Sequence, residues 1–173
     1  MLVAGPVHAQ QKFINVLTGG TSGVYYPMGV ALSQIYAKAM PDAKTSVQAT
    51  KASAENLNLL QAGRGEVGFT LGDALSDAWK GDAEAGFKAP LKKLRGIAGI
   101  YPNYIQIVAS ADSGVKTLAD LKGKRISVGA PKSGTEVFAS GIGNTFSFCR
   151  VYFATAIKYA ENAMKMAILL VFT

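Results

Sequence analysis

Histidine and cysteine are almost missing from this chain, which carries one of each among 173 residues. His8 falls in a leading segment with the pattern of a cleaved signal, so the remainder holds no Ser-His or Cys-His dyad, and hydrolase chemistry loses its usual base. Cys149 alone makes no intramolecular disulfide, and no Cys/His cluster is present to build a zinc site, so neither metal nor other cofactor is expected. Long hydrophobic runs are absent too. The apolar stretch Met166 to Phe172 is far short of the roughly 20 residues a membrane-crossing helix needs. Acidic residues are sparse, 11 against 18 Lys and Arg for a net charge of +7. The basic residues are scattered, Lys92, Lys93 and Arg95 being the tightest group. That spread fits a solvated surface that steers small anions and argues against a nucleic-acid partner. No G-x-y period accompanies the 19 glycines, which excludes collagen. With 49% hydrophobic content, a packed, loop-rich α/β protein remains.

The opening MLVAGPVHAQQ places Val7 and Ala9 at the minus-three and minus-one positions of a cut before Gln10, the end of a secretory signal that lacks its charged region and most of its apolar core. Residues 1–9 are therefore expected to be a signal-peptide remnant and the mature protein to be periplasmic.

Beyond it, strand-like and helix-like runs alternate, as in a largely parallel α/β sheet. Phe13 to Leu17 reads as a strand running into Thr18-Gly19-Gly20-Thr21-Ser22-Gly23, with Pro27 at a first helical position and a helix to about Met40. Strand, glycine loop and helix start make an anion cradle: backbone N–H groups come close to a ligand and the helix end favours negative charge. Lys44 to Thr50 reads as a second strand. Ser53 fits both an N-cap and a ligand contact for the helix Ala54 to Gln61, which carries Asn56 in its first turn. Glu66 to Leu71 is the third strand, followed by a helix to Lys80, and Asp73 fits both a cap and the ligand-binding edge of the sheet.

Leu94 to Ile100 and Tyr104 to Ala109 read as two strands separated by Tyr101-Pro102-Asn103, the crossing to a second lobe. Thr117 and Asp120 have capping-box spacing before the strand Arg125 to Gly129. A second cradle, Ala130-Pro131-Lys132-Ser133-Gly134-Thr135, opens a helix near Glu136. It has the glycine frame of a phosphate-binding P-loop without the lysine after the last glycine, which disfavours nucleotide hydrolysis. No carboxylate pair has spacing that demands acid and base roles, so no enzyme is expected, an anion-binding enzyme domain being the lesser alternative.

Together GGTSGVYYPMG (19–29), SAENLNLLQAGRGEVGF (53–69), TLADLKGKRISVG (117–129) and PKSGTE (131–136) resemble the TAXI family, the extracytoplasmic solute-binding proteins of tripartite ATP-independent periplasmic (TRAP) transporters. The resemblance implies a type II periplasmic-binding-protein-like α/β fold of two lobes that close on a solute and deliver it to TRAP membrane subunits. It implies a small organic anion or an amino acid as ligand, glutamate or a dicarboxylate for example. The site residues it implies are Thr21, Ser22, Gly23, Tyr25, Tyr26, Ser53, Asn56 and Asp73 in one lobe and Ser133, Gly134 and Thr135 in the other. Here Lys51-Ala52-Ser53 stands where the family commonly has a glycine before the serine.

The resemblance stops after Glu136, where the composition changes: five of the eight Phe follow, Pro is absent and Glu161 is the lone acid. Thr155 to Leu170 has helical spacing through Ile157, Ala160, Met164 and Ile168. The expected organisation is therefore a first lobe over 10–103, the start of an incomplete second lobe over 104–136, and an aberrant helical tail over 137–173. A truncated or frameshifted remnant that binds nothing is the alternative to a working binding protein.

Overall fold

In a computed structural model, the structure describes residues 11–104, 107–131, 133–136, 139, 149–151 and 164–172. Its elements follow the alternation of short apolar runs and glycine-rich or polar turns: β1 (Lys12–Leu17), α1 (Tyr25–Ala39), β2 (Ala43–Gln48), α2 (Ser53–Gln61), β3 (Val67–Leu71), α3 (Gly72–Lys80), β4 (Leu94–Tyr104), β5 (Arg125–Ser127), β6 (Cys149–Val151) and β7 (Met164–Phe172). The main sheet has the order β2-β1-β3-β7-β4, and β5 pairs with β6 in a separate parallel ribbon. β1 lies parallel to both β2 and β3, with Val16 opposite Val47 on one side and Val67 on the other. β7 runs antiparallel to β3 and to β4.

Successive side chains of a strand point to opposite faces, and Val16 and Leu17 show where each face packs. Val16, Val67 and Phe69 meet Tyr25, Met28 and Leu32 of α1. Leu17 meets Leu57 and Leu60 of α2 and Ala74 and Ala78 of α3, closed off by Phe87, Leu91 and Leu94. The result is a sheet between one helix and a pair of helices. Burying each of the fully enclosed leucines contributes about 1.5–3 kcal/mol.

Several expectations need correction. Met164–Phe172 is a strand, not the continuation of a helix through Leu170. Its last seven residues are apolar without a polar break, a pattern that suits a strand paired on both sides. Residues 152–163, which carry the rest of that expected helix, lie outside the described residues. β4 is one strand through Pro102, not two separated by it. It forms the edge of the sheet, where a missing N–H costs nothing on the open side, and its register slips between Gly96 and Ala98 and between Gly99 and Tyr101. Residues 107–109, expected to extend a strand, have no regular structure. Pro27 is the third residue of α1, not its first. Thr117 and Asp120 do form a capping box, around the short 3-10 helix Leu118–Leu121. There Asp120 accepts the N–H groups of Lys116 and Thr117 at 2.9 and 2.8 Å, which lowers its carboxyl below the usual range. Among the described residues no helix is long and apolar enough to cross a membrane.

Candidate functional site

Because β1, β2 and β3 are parallel, the helices that follow β1 and β3, and the one that follows β2, all begin at the same edge of the sheet. In none of the three does the residue before the helix form a side-chain cap: Val24 precedes α1, Ala52 precedes α2 and Leu71 precedes α3. Helix starts leave backbone donors without intrahelical partners and carry partial positive charge. Ser53 and Asp73 are thus not the caps their positions allowed. Ser53 is the first residue of α2, and Asp73 sits half-buried in the first turn of α3.

Ala52 and Ser53 are the hub where these starts meet. The Ser53 hydroxyl accepts the N–H of Leu71 at 3.2 Å, tying the start of α3 to the start of α2. A methyl placed on Gly19 would lie 3.4 Å from the Ala52 methyl and 3.6 Å from the Tyr25 ring, so the loop before α1 rests on the same point. Ala52 itself has φ 67° and ψ −163°, a conformation almost confined to glycine, which stores about 1–3 kcal/mol.

From the far side comes the turn after β5. Ser133 donates its N–H to the carbonyl of Ala130 at 3.1 Å and its hydroxyl accepts the N–H of Glu136 at 3.1 Å, starting a helical segment at 134. Ser133 and Gly134 are buried there and Thr135 is exposed. Gly134 lies directly on Ser53 and Leu71. Thr21, Ser22 and Gly23 are exposed in a turn closed by the Gly23 N–H on the Gly20 carbonyl at 2.8 Å. Tyr26 is half-buried in the first turn of α1.

Asn56 is enclosed completely. Its amide donates to the carbonyls of Thr18 at 2.6 Å and Phe69 at 2.8 Å, and its oxygen lies 2.6 Å from the Thr50 hydroxyl, which also reaches the Thr18 carbonyl at 2.9 Å. Asn56 therefore staples the ends of β1 and β3 together and presents no group to a ligand. Tyr25 is buried too, stacked on Phe69 with ring centres 5.3 Å apart and edge-on to Tyr101 at 6.5 Å. Its hydroxyl makes no hydrogen bond of ordinary geometry, although the nearby Asn103 side chain acts on it. Burial, reinforced by Tyr101, raises its pKa well above the ordinary tyrosine range, so it stays a neutral donor. Tyr101 and Asn103 were not singled out from the sequence. The only signal was their place beside Pro102, which read as a break.

Chemically, this edge offers neutral donors and helix ends suited to an anionic oxygen group. Among the described residues no group of three or more His, Cys, Asp or Glu is placed to hold a metal. Asp77 lies near the end of α3, where its backbone carbonyl accepts the N–H groups of Gly81 and Asp82 at 2.8 and 2.9 Å, and burial followed by the charge of Asp82 raises the pKa of its carboxyl.

The sequence matches the NMT1-like family over residues 16–168. The chain belongs to the NMT1-like family. Solved structures similar to this NMT1-like chain include the alkanesulfonate-binding protein SsuA from Xanthomonas axonopodis pv. citri bound to MOPS, at 14% identity and a TM-score of 0.61, covering 95% of this chain and 67% of that one. A TRAP periplasmic solute-binding protein from Sulfitobacter sp. NAS-14.1 with bound β-D-galacturonate matches at 11% identity and a TM-score of 0.59, covering 93% and 72%. The regulatory domain of CcmR from Synechocystis PCC6803, in complex with 2-PG, matches at 10% identity and a TM-score of 0.52, covering 94% and 88%. The NMT1-like chain thus has the periplasmic-binding-protein fold, and it spans about two thirds of the length of the binding proteins it matches.

Proposed function

We propose that this NMT1-like protein is the extracytoplasmic solute-binding subunit of a TRAP transporter of the TAXI type, acting in the periplasm with membrane subunits and without covalent chemistry. Its ligand is a small organic anion or an amino acid such as glutamate or a dicarboxylate. The observation that carries this proposal is the meeting of three uncapped helix starts at Ala52-Ser53, with the Ser133–Thr135 turn laid against them. A carboxylate there would accept from the backbone donors of α1 and from the Thr21, Ser22 and Thr135 hydroxyls. Asp73 would take the ammonium group of an amino acid, and Tyr25 and Tyr26 would wall the site. In this proposal residues 10–103 are the first lobe and 104–136 begin the second. The similarity to proteins solved with a sulfonate buffer and a sugar acid bound supports an anionic solute.

Thermal-shift screening of the full chain against L-glutamate, succinate, D-galacturonate and taurine tests the proposal. A ligand present at 100 times its Kd stabilises by about 2.7 kcal/mol, a rise of several degrees. No shift with any of the four at millimolar concentration contradicts it.

A further inference from the structure

Gly134, in the turn after β5, packs directly against Ser53 and Leu71 of the first half. A Cβ at this position would collide with the Ser53 hydroxyl, and would lie 2.7 Å from Leu71 Cδ1 and 3.1 Å from Ser53 Cβ. The Leu71 methyl is the end of a flexible side chain and can turn away. Ser53 cannot, because it is 1% exposed and its hydroxyl is held by the Leu71 N–H. Behind Gly134 the backbone is equally set: Gly129 has φ 80°, the Ser133 N–H closes on Ala130, and the Ser133 hydroxyl is occupied by the Glu136 N–H. Neither surface can yield to a methyl group without moving the turn as a whole.

We propose that Gly134 is the steric stop that sets how far the turn after β5 closes onto the helix starts at Ser53 and Leu71, and that its missing side chain is what lets the molecule close. Gly134 then acts by contact with protein and not with solute. This inference rests on the solute-binding reading for its purpose, but its geometry can be tested without ligand. Gly134→Ala holds the turn away from Ser53, lengthening the reach from Thr135 to a solute held by the first lobe. Ser53→Ala in the Gly134→Ala background removes the atom that collides first and lets the turn return.

The test compares the wild-type chain, Gly134→Ala and the double variant by small-angle scattering, by hydrogen exchange at the Leu71 amide, and by calorimetric titration with L-glutamate, succinate and D-galacturonate. The stop predicts a larger radius of gyration for Gly134→Ala than for the wild type, with partial recovery in the double variant. It also predicts at least a tenfold loss of affinity for whichever probe the wild type binds. Leu71 exchange should rise in Gly134→Ala as Ser53 is displaced, while the amides of Leu57 and Leu60 keep their protection and show that the first half is folded. An unchanged radius of gyration and unchanged exchange at Leu71 overturn the stop, as does wild-type affinity in Gly134→Ala. If the wild-type chain binds no probe, the solute-binding proposal fails, and scattering and exchange alone decide for or against the stop.

Discussion

Ala52 keeps a methyl group in backbone space that glycine fills without strain. Replacing it, Ala52→Gly, should stabilise the protein by about 1 kcal/mol, the relief of a 1–3 kcal/mol strain less the added freedom of the unfolded chain, as read from urea unfolding. A fall in stability would mean that the packing of the methyl against the cluster around Tyr25 outweighs the strain. Asn56 is the opposite case, a polar side chain fully used inside the fold. Asn56→Ala takes the side-chain donor from the Phe69 carbonyl and leaves the Thr18 carbonyl with the Thr50 hydroxyl alone; an unsatisfied buried group costs about 1–3 kcal/mol, so a loss of roughly that size in unfolding free energy is expected. Tyr25 sets a pH dependence. Its folded pKa lies above the ordinary value of 10.0, so the folded state holds the proton longer than the unfolded state. The stability from its burial is complete below pH 10 and is lost as pH rises beyond that. Thermal melts should therefore fall between pH 9 and 11 more steeply in the wild type than in Tyr25→Phe, and equal slopes would place the titrating group elsewhere.

At the scale of elements, β1 through α3 were legible because each strand is a short apolar run closed by a turn rich in Gly, Ser or Asp, and each helix buries one stripe. Leu57 is typical, fully enclosed between α2 and the sheet, and Leu57→Ala should cost about 2–5 kcal/mol. Two elements were misread for physical reasons. Pro102 ends a helix or a central strand but not an edge strand, and that β4 is an edge depends on pairings distant in sequence. The 164–172 segment has both helical periodicity and an unbroken apolar run, and only its neighbours β3 and β4 decide between them. The site was legible as cradles but not as contacts. The resemblance implies Asn56 as a ligand contact, and only its complete burial and its bonds to the Thr18 and Phe69 carbonyls reveal the staple. β7 also carries a prediction: it is the strand that joins β4 to β3. Removing residues 164–173 should strip hydrogen-exchange protection from Leu94–Tyr104 while β1 and β2 keep theirs, and retained protection in β4 would show that it is held by other contacts.

For the whole molecule, the parallel order of β1, β2 and β3 brings three helix starts to one edge, and the turn after β5 reaches the same point from the other half. The excess of basic residues, net +7, adds a general attraction for anions that salt screens beyond about 10 Å at 0.1 M, so approach is faster at low salt while the bound state depends on the local donors. The most direct measurement is a map of backbone amide shifts in the isotope-labelled full chain, titrated with the probe that gives the largest thermal shift. Binding at the helix starts predicts saturable changes concentrated at residues 19–25, 52–54, 71–73 and 133–135. Changes centred instead on the groove between α2 and residues 84–91, or none with any probe, would contradict it.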